Sequence, residues 1–65
     1  MDLKKLLIAF IENKVISIIE LGTNAKCIFE GHSNKFDCEQ GQYEVIKFDK
    51  IYFDNSYSIV VIRNT

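Results

Sequence analysis

The sequence predicts an α+β fold: one N-terminal helix packed on a strongly bent antiparallel sheet of four or five strands, a layout compatible with a small barrel. Three observations carry this expectation. Leu3, Leu6, Leu7, Phe10 and Ile11 recur at helical spacing. Everything after residue 14 breaks into short runs rich in Val, Ile, Phe and Tyr, separated by Gly, Asn, Asp and Ser. At least two of those runs are apolar on both faces.

The helix is expected from Leu3 to Glu12, with Asp2 as its N-cap and Asn13 as its stop. At about ten residues it is too short to be stable alone, so it must dock on the sheet. Lys14 to Leu21 reads as the first strand, Gly22-Thr23-Asn24 as a turn, and Ala25 to Glu30 as its hairpin partner. After a break at Gly31 to Asn34, Lys35 to Glu39 suggests a short strand. Gln40-Gly41-Gln42 then turns the chain into Tyr43 to Phe53, read as one long strand bent near Asp49 or as two short ones. Asp54-Asn55-Ser56 marks the last turn, before a strand from Tyr57 to Arg63.

Length sets the limits on function. The chain has 65 residues, 48% of them hydrophobic and 26% charged, with a net charge of −1. It makes a single domain, residues 1–65, and chains of this size bury only about 60% of the surface they expose when unfolded. Eight basic residues against nine acidic ones give neither the clustered positive charge of a general polyanion binder nor the acidity of a DNA mimic. Ten Ile against two Ala, and seven Lys against one Arg, are the bias of AT-rich coding. The source expected from that bias is a low-GC bacterium, or a phage or plasmid living in one, and the chain reads as a complete small frame. The apolar run Leu6 to Ile11 is too short for a signal peptide, and no window reaches the roughly 18 apolar residues of a membrane span. A cytoplasmic location is expected.

The strand faces say most about assembly. In the first strand Val15, Ser17, Ile19 and Leu21 oppose Ile16, Ile18 and Glu20; in the last, Tyr57, Ile59 and Val61 oppose Ser58, Val60 and Ile62. One short helix covers one face, so the other must curl into a barrel or meet another chain. Exposed apolar patches of a few hundred Å² usually mark interfaces. Ile16, Ile18, Ile28, Val60 and Ile62 are the residues expected to mediate self-association, as a homodimer or higher oligomer.

Candidate chemistry is sparse. His32 lies in a turn-like segment with no spacing that selects a nucleophile and a carboxylate around it. Cys27, His32 and Cys38 have zinc-ligand chemistry, yet C-x4-H-x5-C matches no common zinc module. Cys27 reads instead as a small buried apolar residue, with Cys38 within reach of it across a ladder, and both thiols are expected reduced. Gly22, Gly31 and Gly41 are isolated, with no phosphate-cradling loop. No catalytic residue, metal site or cofactor is assigned, and the chain is expected not to be an enzyme.

Residues from Phe36 onward carry five acids against three cations, interleaved with aromatics. Phe36, Asp37, Glu39, Tyr43, Glu44, Asp49, Tyr52, Asp54 and Tyr57 are therefore the expected partner-binding residues, an acidic and aromatic patch suited to a basic protein surface. A small AT-rich frame of this kind is similar in character to the anti-defence proteins of phages, such as anti-CRISPR proteins. That likeness implies an inhibitor or adaptor that occludes a site on a larger protein, such as a host defence protein. An alternative comes from topology: a helix followed by the hairpin Val15 to Glu30 and a final strand Ser58 to Arg63 looks like the layout of Sm-like and Hfq-like proteins. It implies an oligomeric barrel binding single-stranded RNA. Gly22 and Gly31 lie in suitable places, whereas Arg63-Asn64 lacks the Gly that would follow in that family.

Overall fold

A computed structural model describes residues 1–10 and 12–64. The chain runs α1 (Leu3–Ala9), β1 (Val15–Glu20), β2 (Lys26–His32), a 3-10 turn at Ser33–Lys35, β3 (Tyr43–Ile51) and β4 (Ser56–Arg63). One helix and a four-stranded open sheet form the small α+β fold expected from the patterning. The sheet order is β2-β1-β4-β3. β1 with β2 and β3 with β4 form antiparallel hairpins, but β1 and β4, the two inner strands, run parallel. The sheet is therefore mixed rather than wholly antiparallel, and β2 and β3 lie at opposite edges without closing a barrel. Among the described residues, no helix is long and apolar enough to cross a membrane.

Helix α1 ends earlier than its apolar stripe suggests. Phe10 is extended, and its N–H bonds the Leu7 carbonyl at 3.3 Å in a tightened last turn. Its ring instead joins Tyr57 and Phe48, so tertiary packing ends the helix. Ile11, assigned to the stripe from sequence, lies outside the described residues. Asp2 stands at the N-cap position, but its carboxylate makes no cap bond and instead accepts the Gly41 N–H at 2.8 Å. Gly41 has a φ of 82°, a backbone region that favours glycine. Asn13, read as a helix stop, accepts the Asn34 N–H at 3.0 Å and the Ser33 hydroxyl at 3.2 Å, tying the start of β1 to the end of β2.

The core follows from strand parity. Ile18 pairs with Ile59 across the parallel ladder and Ile16 with Tyr57, so these side chains share a face. Leu3, Ile16, Ile18, Ile59 and Val61 have no exposed surface, and Leu6 and Tyr43 complete the buried cluster. Each buried aliphatic side chain contributes about 1.5 to 3 kcal/mol. At seven residues, α1 is only about 10 Å long and cannot roof this cluster alone. The segment from residue 33 to 42 completes the cover: the Phe36 ring packs on Phe29 with centroids 5.0 Å apart, and Cys38 packs on the core. This segment was expected to hold a strand at Lys35 to Glu39; it is instead the 3-10 turn followed by irregular backbone. Gly31 admits the Phe29 ring, one carbon of which lies 3.3 Å from where a Cβ would stand.

Both edge strands are irregular. The register slips at Ile28 in β2 and at Ile46 in β3. On β3, Asp2 also bridges Glu44, and the Val45 N–H bonds the Met1 carbonyl at 2.7 Å. Bulges and covered edges are how open sheets avoid pairing with other strands.

Candidate functional site

The residues expected to form one acidic, aromatic patch divide between two ends of the molecule. Tyr43 begins β3 and Tyr52 follows its last residue, which at about 3.3 Å per residue separates them by roughly 30 Å along the chain. Tyr43 is also a core residue, 6% exposed, whose hydroxyl accepts from Arg63 at 3.0 Å while the guanidinium lies 5.2 Å from its ring centroid. It is unavailable as a contact residue because its ring fills the space beneath the helix.

The acids near Tyr43 are held by local partners. Asp37 pairs with Lys4 and Glu44 with the Met1 amino group, whereas Glu39 is tied to Gln42 through its backbone N–H, at 3.0 Å, and not through its carboxylate. The hydrogen bond from Lys4 holds the Asp37 carboxyl below the usual carboxylate range and raises Lys4 in turn. Burial pushes the Cys38 thiol up, with Asp2 adding to the effect. Asp49 lies 3.6 Å from Lys47, and Asp54 accepts the Ser56 N–H at 3.1 Å and its hydroxyl at 2.6 Å. Asp54 is thus a turn-forming residue, aided by Asn55 at φ 57°.

The other end presents apolar surface. Phe48 and Tyr57 stack with centroids 5.3 Å apart and planes at 8°, and Phe10 tilts against both at 6.0 and 5.4 Å. Beside this three-ring cluster is an open groove of about 350 Å³ lined by Ala9, Phe10, Glu12 and Lys14. Beyond it the β3–β4 turn carries Tyr52 and Phe53 into solvent, 83% and 90% exposed. The Lys50 ammonium sits 5.3 Å from the centroid of the Tyr52 ring. Comparison with known proteins finds no matching family, no matching curated protein and no matching solved structure.

A second apolar surface is the sheet face opposite α1. Strand register puts Ile19 beside Val60, with Ile62 on the same side of β4. Of the residues expected to mediate self-association, Val60 and Ile62 fall on this open face. Ile16 and Ile18 do not: they pair with Tyr57 and Ile59 and are wholly buried beneath the helix. Ile28 is the bulge residue of β2 and packs against the same core. Cys27, expected to be buried, is exposed because the bulge places it opposite Ile19 rather than beneath the helix. Cys38 packs on the covered side, and both thiols are free. Among the described residues, no three His, Cys, Asp or Glu side chains are grouped to hold a metal ion.

Phe53 and Phe48, both exposed, and Ile19, half-buried on the open face, are not among the contact residues expected from the sequence. The signal for Phe53 was its position immediately before Asp54-Asn55-Ser56, where the chain must leave the sheet. For Ile19 it was strand parity with Val60 once the parallel pairing is known.

Proposed function

We propose that this chain is a non-catalytic protein-binding module, an inhibitor or adaptor that occludes a site on a larger protein, with the β3–β4 tip as its anchor. The observation that carries this reading is the exposure of two adjacent aromatic side chains, Tyr52 and Phe53, on a turn fixed by Asp54 and Asn55. Exposed aromatics on a well-defined support lose little side-chain entropy on binding, and such residues dominate interface energetics. The stacked Phe48 and Tyr57 rings and the groove beside Phe10 extend the same end into a larger contact surface. Of the acidic residues expected to bind a partner, Asp49 and Asp54 lie near this end, where they flank the aromatics. A partner with an apolar pocket rimmed by mixed charge fits this surface. The likeness in size and composition to phage anti-defence proteins makes a host defence protein the partner class to try first. Bulges on both edge strands favour contact through the tip over the edge-paired RNA-binding ring that was the alternative.

The test is photo-crosslinking with a benzophenone amino acid in place of Phe53. The expected result is one crosslinked larger protein, competed away by unlabelled wild-type chain and not by a Tyr52→Ala, Phe53→Ala double variant. Equal competition by the double variant, or label transferred to RNA instead, contradicts the reading.

A further inference from the structure

The open sheet face has an internal pattern that the tip does not use. Strand register arranges it in rows. One row runs Cys27, Ile19, Val60, Lys47. The next places Ile62 beside Glu44, with Leu21 on the other side of Ile62, its N–H bonded to the Val61 carbonyl at 2.9 Å. On the far side of the first row come Glu30, Ser17, Ser58 and Asp49. Four apolar side chains thus form a square at one end of the face, with one cation and one carboxylate beside it on β3: Lys47, 3.6 Å from Asp49 of the same chain, and Glu44, which also pairs with the Met1 amino group. Leu21 and Ile62 are 41% and 38% exposed, and the Lys47 and Glu44 side chains 68% and 43%.

We infer that this face binds a second copy of the chain, the two sheets stacked with opposed strand directions about a two-fold axis that crosses the strands between the Ile19 and Leu21 rows. That axis sets Ile19 against the partner's Leu21 and Val60 against the partner's Ile62. It also sets Lys47 against the partner's Glu44, and by symmetry does so twice. Glu30 and Asp49 then project past the ends of the partner's strands into water. The alternative two-fold, parallel to the strands, brings Glu30 against the partner's Asp49 twice, an arrangement of like charges that suppresses association. Stacked sheets pack about 10 Å apart with their strands nearly aligned, a gap that Lys and Glu side chains span together. Four strands make a face only about 19 Å wide, so the dimer belongs at the small end of specific interfaces and dissociates on dilution. The inference is independent of the tip, which lies at the other end of the strands.

Sedimentation equilibrium tests it, with wild-type chain at roughly 10 to 500 micromolar, where small interfaces dissociate. The mass should rise with concentration from 7.5 kDa toward twice that value. Val60→Lys should remain monomeric, and Lys47→Glu should weaken dimerisation by about tenfold or more through its new contact with the partner's Glu44. Lys47 is exposed, so this variant carries the test even if Val60→Lys misfolds. An equimolar mixture of Lys47→Glu and Glu44→Lys chains should recover a heterodimer. A monomer at every concentration, a dimer indifferent to Lys47→Glu, or a mixture that fails to pair overturns the inference.

Discussion

The two faces of the sheet differ by one step along the same strands. Ile18 and Ile59 have no exposed surface, while their neighbours Ile19 and Val60 lie on the side without a helix. The side chains are nearly alike in chemistry and size. What separates a core residue from a surface residue here is the cover, namely α1 and the segment from residue 33 to 42. A chain of 65 residues has enough Ile and Val to coat two faces but only enough backbone to roof one. The unroofed face and the aromatic tip are therefore the surfaces left for contact with other molecules.

Removing atoms from the two faces should give the largest contrast. Ile59→Ala is expected to cost about 2 to 5 kcal/mol in urea denaturation, as buried large-to-small changes do. Val60→Ala on the same strand should cost well under half as much. Equal losses would erase the distinction between the faces.

Next in size is the contrast between two glycines. Gly41→Ala forces a side chain into left-handed backbone and should destabilise by about 1 kcal/mol, with further loss if the Asp2 contact shifts. Gly22→Ala meets nothing within 4 Å and should leave the thermal midpoint unchanged or raise it slightly. The double variant Tyr52→Ala, Phe53→Ala should alter stability by no more than about 0.5 kcal/mol, because both rings are in solvent. A large loss of stability there would make the tip part of the fold rather than a contact surface.

The smallest effect belongs to Lys4 and Asp37. The Asp37 carboxyl titrates below its ordinary value because Lys4 donates to it, so its contribution is present above the ordinary carboxylate range and is lost as pH falls through the lowered value. Lys4 is raised, so its contribution holds below the ordinary lysine range and is lost as pH rises past it. Both groups are solvent-exposed, and such pairs are weak. Asp37→Asn should flatten a slight acid-side slope in stability without moving the neutral-pH value appreciably, as followed by thermal melts across pH.

Much of the fold was legible because periodicity is local. The stripe through Leu3, Leu6 and Leu7 and the dense Ile and Val runs mark α1, β1 and β4 directly. Pairing between strands distant in sequence is not local. Nothing in Val15 to Glu20 or Ser56 to Arg63 states that the two lie side by side in parallel, and that pairing decides that Ile18 shares a face with Ile59 rather than with Val60. The bulges at Ile28 and Ile46 shift parity midway along their strands, which moved Cys27 to the surface. The candidate contact residues were harder still to place. Tyr43 and Tyr52 are alike in sequence, yet one is fixed in the core by Arg63 and the other stands free on a turn.

The central claim is that one face of this sheet makes the fold and the other is free to make contacts. Far-UV circular dichroism of Ile18→Lys beside Val60→Lys tests it most directly, since the same charge is placed on opposite faces of adjacent, paired strands. Ile18→Lys should lose the folded spectrum, because an unpaired ammonium cannot be accommodated at a site with no exposure. Val60→Lys should keep it. Two folded variants, or two unfolded ones, would contradict the account.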